Sequence, residues 1–399
     1  MPIYSIKYSI PYLILITYYI LLVITEFIVE KQSVSEKLSS NRQIIRILSL
    51  SGLLFFFGFR GFIGWDWYSY YPAFKEVHNI FNFDSAIFSH IRFDHGFIYY
   101  MSLIKTISNN FHFFIFINTL IDIVILDLLI KRYSRFSYAF VVLLFITMGG
   151  FYLETDILRS AKCLMLFLLS LRYINERRIV PFLCLNLLGC TFHISACIFI
   201  PLYFFLHKKI PKYIVISIFI AGFTIFLLQI EYIRPFLFWI TSLMGERFSA
   251  LLEKYLNISA YSTGYGFTIG LLERFFTVIL IVIFYGKLTS ASKNNIVLVN
   301  CYLIYFIFFF FFAEIKIIPV RVGGLFVFAY WFLYPEIFNF IKNYNNKIVI
   351  ITAFFLYSLI KIGDMTNTIL YRYVNVLFGS DDFPSRAKIF DASFETLFK

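Results

Sequence analysis

Long apolar runs, broken by short polar or basic clusters, recur along almost the whole chain. A hydrocarbon core about 30 Å thick needs roughly 20 residues of helix to cross it. Runs at 8–29, 47–63, 112–130, 136–153, 156–174, 179–193, 194–206, 212–230, 266–286, 295–313, 319–341 and 348–363 reach or approach that length. The pattern predicts about twelve transmembrane helices, each satisfying its backbone internally because lipid offers no partners. Pro181 and Pro201 punctuate 179–206, which reads as two short crossings meeting near His193 or as one long broken segment. Two stretches, about 64–111 and 231–265, fall between runs. Their HGFIYYMSLIKTISNNF and RPFLFWITSLMGERFSALLEKYLN portions carry the apolar spacing of amphipathic helices lying on a membrane surface. The expected fold is an all-α polytopic integral membrane protein, one membrane-embedded domain over 1–399 with surface helices in the outer loops.

Composition sharpens this picture. Of 399 residues 60% are hydrophobic, 22% aromatic and 15% charged, which excludes an ordinary soluble domain. The run Tyr8 to Val29 has no basic leader or small-residue cleavage site and reads as a retained helix. The net charge of +12 is scattered between apolar segments and forms no basic stripe, so nucleic acid is not an expected partner. Basic residues cluster instead in alternate loops: Lys31, Lys37, Arg42 and Arg46; Lys131, Arg132 and Arg135; Arg172, Arg177 and Arg178; Lys208, Lys209 and Lys212; Lys287 and Lys293; Lys342 and Lys347. The positive-inside rule makes that side cytoplasmic and puts both termini outside. The opposite loops carry most acids, including Asp66, Glu76, Asp84, Asp94, Glu154, Asp156, Glu231, Glu246, Glu253 and Glu314, and so form the expected working face. The five cysteines sit in apolar stretches without CxxC spacing and read as buried small hydrophobes.

Several ionisable residues fall at the expected outer helix ends: Arg60 and Asp66, Asp156 and Arg159, His193, Glu273 and Arg274, and Glu314, Lys316 and Arg321. An arginine at mid-depth costs roughly 2.5–3.5 kcal/mol on insertion scales, so something compensates. One reading is pairing, with Arg60 meeting Asp66 and Asp156 meeting Arg159 one helical turn away. The other is an anion site, because the planar guanidinium fork matches phosphate oxygens and stays charged in a dry setting. The aromatics in WDWYSYY (Trp65, Trp67, Tyr68, Tyr70) suit a headgroup belt, a sugar-stacking platform or both. His193, at a break between two short helices, is either a satisfied structural histidine or a functional group. His78, His90, His95 and His112 show no ligand spacing, so no metal and no cofactor is expected.

These elements resemble, in order and spacing over roughly residues 1–370, the EpsG-like branch of the Wzy-type polysaccharide polymerases, which build O-antigen, capsule and exopolysaccharide. FRGFIGWDWYSYYPAF is similar to that family's arginine and GxDY element, and HGFIYYMSLIKTIS to the amphipathic segment after it. LRSAKCLMLFLLSLRYINERR followed by CTFHISACIFIP looks like its arginine-bearing helix, basic loop and FHxSA element, and IPVRVGGLFVFAYWFLYP like its late arginine. The usual GTDY stands here as Gly64, Trp65, Asp66 and Trp67, and Ser160 replaces a common glutamine.

The resemblance implies a glycosyltransferase at the outer leaflet of the bacterial inner membrane. A growing chain leaves its polyprenyl pyrophosphate and joins a hydroxyl of a new lipid-linked oligosaccharide repeat unit. Charge placement around a pyrophosphate favours direct inverting displacement over a retaining route through an enzyme carboxylate, and the lack of a DxD-type pair near Asp66 points away from a metal. It carries over Arg60, Asp66, Arg159, His193 and Arg321. Arg159 and Arg321 are expected to stabilise the leaving pyrophosphate, with Arg60 and Arg274 as further candidates, and Asp66 or His193 to act as base. A chain-length regulator and a flippase are the expected protein partners. Rival readings are a flippase or transporter for lipid-linked oligosaccharide and an O-antigen ligase; a membrane acyltransferase lacks a partner motif for His193.

Overall fold

The computed structural model describes residues 4–32, 35–245, 249, 250, 253, 256, 266–379 and 381–397. Those residues are all-helical, with two isolated backbone bridges and no strand. The chain divides into two compact units, residues 1–204 with 334–399, and residues 205–333.

A helix overlies each of the twelve expected stretches, but among the described residues six helices are long and apolar enough to cross a membrane. They are α1 (Ile6–Gln32), α5 (Phe111–Tyr133), α6 (Tyr138–Thr155), α11 (Ile269–Ala291), α12 (Lys293–Phe310) and α14 (Tyr344–Met365). The count is seven when Ile317–Phe326 and Ala329–Phe340, bent by 54°, are taken as one broken span. By length and composition the described residues do not confirm the expected count of twelve. The segments between Ile179 and Leu227 are short, and α2 (Ser35–Leu53) starts well before the apolar run and is polar over its first half. Several apolar helices nevertheless suit a multi-pass membrane protein.

In the first unit, α1 packs against α6, α14 and α2. Glu26 of α1 caps the start of α6, accepting the Tyr138 and Ala139 N–H groups at 2.8 and 3.0 Å and the Ser137 hydroxyl at 2.5 Å. A carboxylate there satisfies orphan donors and complements the helix dipole. Helices α7 (Leu158–Asn175) and α8 (Ile179–Phe192) form a close pair, continued by a 3₁₀ segment, Ile194–Phe204, that also packs on α7. Phe167 stacks on Phe199 at 4.0 Å across that contact. The two short helices do meet near His193.

Between α5 and α7 lies a buried ion pair. Lys162 Nζ is 2.6 Å from Asp122 and donates to the Asn118 carbonyl at 2.7 Å, and both charged side chains are almost fully buried. Nearby, Glu154 accepts from Thr119 at 2.9 Å. Charge at this depth is tolerated only when paired.

The stretch 64–111 is helical in pieces: α3 (Trp67–Glu76), a turn at Ile87–His90 and α4 (His95–Ile107). The expected amphipathic segment is α4. It buries Phe97, Ile98, Met101 and Ile104 and exposes Tyr99, Leu103 and Ile107. After α14, α15 (Phe383–Leu397) closes the unit.

The second unit holds α9 (Lys212–Leu227), α10 (Ile233–Met244), α11 and α12, with Ile317–Arg321 and the start of α13 (Ala329–Phe340). Phenylalanines fill its core. Phe306 stacks on Phe310 at 4.2 Å, and Phe219 and Phe223 meet them edge-on. Glu314 caps α10 by accepting the N–H groups of Tyr232, Ile233 and Arg234 at 2.7–3.0 Å. Glu246 and most of the expected second surface helix lie outside the described residues.

Candidate functional site

The site grows from the segment that follows α2. A single π turn, Leu54–Gly58, ends that helix, and the next residues run extended beside 370–376. Gly61 N–H donates to the Val374 carbonyl and Val376 N–H to the Phe59 carbonyl, both at 2.8 Å. This pairing turns Arg60 inward. Its side chain is 1% exposed, and Nη2 and Nε donate to the Glu154 carbonyl at 2.7 and 3.1 Å. Arg60 thus caps the C-terminal end of α6, where a cation meets orphan carbonyls and the negative end of the helix dipole. The expected Arg60–Asp66 partnership gives way to this cap.

Gly64 follows at φ +79°, and a Cβ there would stand 2.4 Å from Asp156 Oδ1. Only glycine permits both the backbone conformation and the approach. The turn lays the Trp65 N–H on Asp156, whose other oxygen accepts from Thr155 Oγ1 at 2.7 Å and Tyr371 at 3.4 Å. Asp156 is fully buried. The anticipated one-turn pair of Asp156 with Arg159 is replaced, because Asp156 holds the loop and Arg159 reaches elsewhere.

Arg159, in the first turn of α7, donates from Nη1 to Asp94 Oδ2 at 2.9 Å, the two side chains being 22% and 25% exposed. Its guanidinium lies 4.5 Å from the Phe93 ring centre, and its Nε is buried without a hydrogen-bond partner. Tyr70 packs on Phe93 and Phe97, and its hydroxyl is 3.4 Å from Asp66 Oδ2. Burial raises the Tyr70 phenol pKa and the Asp66 charge raises it further, while Arg159 pulls it down. Tyr70 therefore stays a neutral donor between a carboxylate and a guanidinium. Asp66, Arg159 and Asp94, each partly exposed, form one polar cluster around the buried Tyr70.

His193 ends α8 at the same end of the α7–α8 pair. Cys163 Sγ lies 3.3 Å from the Arg159 carbonyl and 3.1 Å from that of Gly189, tying the two helix ends together. His193 Nδ1 accepts the Ser195 N–H at 3.1 Å and is 2.8 Å from Ser195 Oγ. With Nδ1 so engaged, a neutral imidazole carries its proton on Nε2. Gly96 lets the start of α4 approach the same place, since a Cβ would meet Thr191 Oγ1 at 2.2 Å.

The aromatics are not an open platform. Trp67 is buried and its Nε1 donates to the Gly64 carbonyl at 3.0 Å. Phe390 of α15 stacks on Tyr68 at 4.4 Å and meets Trp65 and Trp67 edge-on. Phe383 stacks on Tyr71 at 4.4 Å. Arg386 fastens this helix. It is 2% exposed and donates to the carbonyls of Phe62 at 3.0 Å, Leu370 at 3.2 Å and Arg372 at 2.9 Å. Burial lowers its pKa to about 10.

Arg274 and Arg321 belong to the second unit. Arg274 lies 3.5 Å from the Phe309 ring centre and its Nε donates to the Tyr305 hydroxyl at 2.8 Å. Arg321 ends the short helix Ile317–Arg321 and is exposed.

A protein-family model covers residues 43–375 of this arrangement. The chain belongs to the EpsG family. EpsG proteins are Wzy-type, polysaccharide-polymerase-like, which suggests a glycosyltransferase-like polymerase activity in a membrane protein. The EpsG match encloses Arg60, Asp66, Asp94, Arg159, His193, Arg274 and Arg321 and stops short of α15. No curated protein and no solved structure matches the chain.

Asp94 and Phe93 were not singled out as site residues by sequence, although Asp94 stood among the acids of the expected working face. The signal available was its place immediately before the amphipathic helix. Lys162, Asp122 and Arg386 gave none.

Proposed function

We propose that this EpsG-family protein polymerises oligosaccharide repeat units carried on polyprenyl pyrophosphate, working at the extracytoplasmic leaflet of the bacterial inner membrane. The observation that carries the reading is the family match over 43–375, which encloses the half-exposed Arg159–Asp94 pair beside Asp66 and Tyr70.

In this reading a hydroxyl oxygen of the incoming repeat unit attacks the anomeric carbon of the growing chain. The bond from that carbon to the pyrophosphate oxygen breaks, the electron pair leaves on polyprenyl pyrophosphate, and the hydroxyl proton passes to a base. Direct displacement inverts the anomeric centre. Arg159 neutralises the leaving phosphate, for which its planar fork is suited. Asp66 is the preferred base. His193, with Nδ1 occupied by Ser195, offers an Nε2 proton and serves better as a donor to a sugar or phosphate oxygen. Arg60 acts indirectly, through the backbone it holds, because it is buried on the Glu154 carbonyl. The cationic side chains of the second unit, Arg274 and Arg321, are further candidates for substrate phosphate and are tested by the same assay.

The test is deletion of the gene in its host and complementation with wild type or Arg159→Ala, read as surface polysaccharide on a gel. Collapse of a ladder to single repeat units, rescued by wild type and not by the variant, is the expected result. Loss of even the first unit favours a flippase or a ligase and overturns the proposal.

A further inference from the structure

The end of the α7–α8 pair opposite Arg159 holds a cavity of about 750 Å³. Arg172 stands thirteen residues along α7 from Arg159, a rise of about 20 Å. Three arginines line the cavity, Arg132 from the end of α5, Arg172 from the end of α7 and Arg178 from the residue before α8. None of the described residues lining it is acidic; Glu176, outside the lining, lies 3.7 Å from Arg178 Nη1 in a solvent-exposed pair. Its volume lies within the range of ligand sites, about 300–1,000 Å³.

Two further features separate this cavity from an ordinary basic loop. Arg172 is held by its neighbour: the guanidinium lies over the Tyr173 ring at 4.3 Å and Nη2 donates to the Tyr173 hydroxyl, while Nε is buried without a hydrogen-bond partner. An arginine so placed keeps its charge and an unspent donor. The rest of the wall is apolar. Leu128 and Leu169 stand a turn deeper along α5 and α7, and Val180, Pro181 and Leu185 continue the surface along α8. A cationic rim over an apolar wall is complementary to a molecule with an anionic head and a hydrocarbon tail. A free phosphate would satisfy the arginines and leave the wall uncovered.

We propose that this cavity binds an anionic phospholipid, with its phosphodiester among Arg132, Arg172 and Arg178 and an acyl chain along Leu128, Leu169 and Val180. The inference is independent of the polymerase reading and concerns the other end of the same helix pair. Basic residues near a membrane surface each strengthen binding of anionic lipid about fivefold.

The test uses the purified full-length protein in neutral detergent, with native mass spectrometry reading retained lipid. Dioleoyl phosphatidylglycerol is expected to bind the wild type at least about 25-fold more tightly than dioleoyl phosphatidylcholine. The double variant Arg132→Gln/Arg178→Gln, at two exposed rim positions, is expected to weaken the phosphatidylglycerol complex by about 25-fold and leave phosphatidylcholine unchanged. Arg172→Gln adds a further loss, and the rim double variant keeps the test sharp should that substitution disturb folding. Bound phosphatidylglycerol also shields Cys184, which is exposed in the cavity wall, from alkylation, with exposed Cys197 outside it as the reference. Equal retention of the two lipids, unchanged affinity in the rim variant, unaltered Cys184 reactivity, or displacement of the lipid by glycerol 3-phosphate at equal concentration overturns the proposal.

Discussion

Asp94 and Arg159 are 65 residues apart in sequence and meet in a 2.9 Å ion pair at the start of α7. Partly exposed pairs contribute about 0–1 kcal/mol to stability, so this one is of small use as a staple. Arg159→Ala is expected to leave thermal unfolding almost unchanged while lowering polymerisation by about 10²–10³-fold, the usual effect of removing one electrostatic stabiliser of a leaving group. Arg159→Lys keeps the charge without the fork and falls between. Asp94→Asn, which spares the arginine, loses less than either. Melting curves alongside ladder length in complemented cells check all three.

Gly64→Ala forces a side chain into a backbone at φ +79° and against the Asp156 carboxylate. The expected destabilisation is about 1–3 kcal/mol from the backbone alone. Gly286→Ala is the control. It sits inside α11 with open space around a new Cβ and should be neutral or stabilising by up to about 1 kcal/mol. Thermal melts of the two variants in detergent, compared with wild type, decide the point.

Arg386→Met removes the donors that serve the carbonyls of Phe62, Leu370 and Arg372, of which Leu370 keeps the Gly64 N–H. Each buried carbonyl left unsatisfied costs about 1–3 kcal/mol, so the variant is expected to lose at least that much. Phe390→Ala is milder in energy and more informative in spectrum. It uncovers Trp65 and Trp67, and tryptophan emission is expected to shift to the red. An unshifted spectrum contradicts the packing described for α15.

Lys162 and Asp122 make a buried pair at 2.6 Å. Lys162→Met or Asp122→Leu alone is expected to destabilise by about 3–5 kcal/mol, because each leaves an uncompensated buried charge. The double variant should recover most of that loss, since well-packed apolar replacements of a buried pair are often neutral. A thermal double-mutant cycle measures the coupling.

Much of the helical layout was legible in the sequence because apolar runs and proline breaks are local signals. The α4 amphipathic segment came from apolar spacing, and Pro181 and Pro201 marked 179–206 as either two short pieces meeting near His193 or one long broken segment. The number of crossings was not legible, because a run such as 179–206 has the hydropathy of a span and the geometry of two short pieces. The site was readable as residue types and not as partners. Arg60 and Asp66 are six positions apart and were natural mates on paper, yet the backbone pairing of 59–61 with 374–376 turns Arg60 into the interior. Arg159 likewise had Asp156 one turn away, and the Gly64 turn claimed that carboxylate first. The aromatic cluster looked like a surface because nothing local in WDWYSYY announces Phe383 and Phe390 from over three hundred residues later.

The same long-range pairing bears on biogenesis. The segment around Phe59–Gly64 finds its backbone partners only at 370–376, so for most of the time a ribosome takes to deliver the chain, its backbone groups lack them, while the Arg60 side chain has an earlier mate at Glu154. Contacts of such sequence separation close last. The loop that carries Asp66 into place is therefore finished after the helices around it have been inserted, and a nascent chain arrested before residue 370 holds every expected catalytic side chain and lacks the strap that orients them.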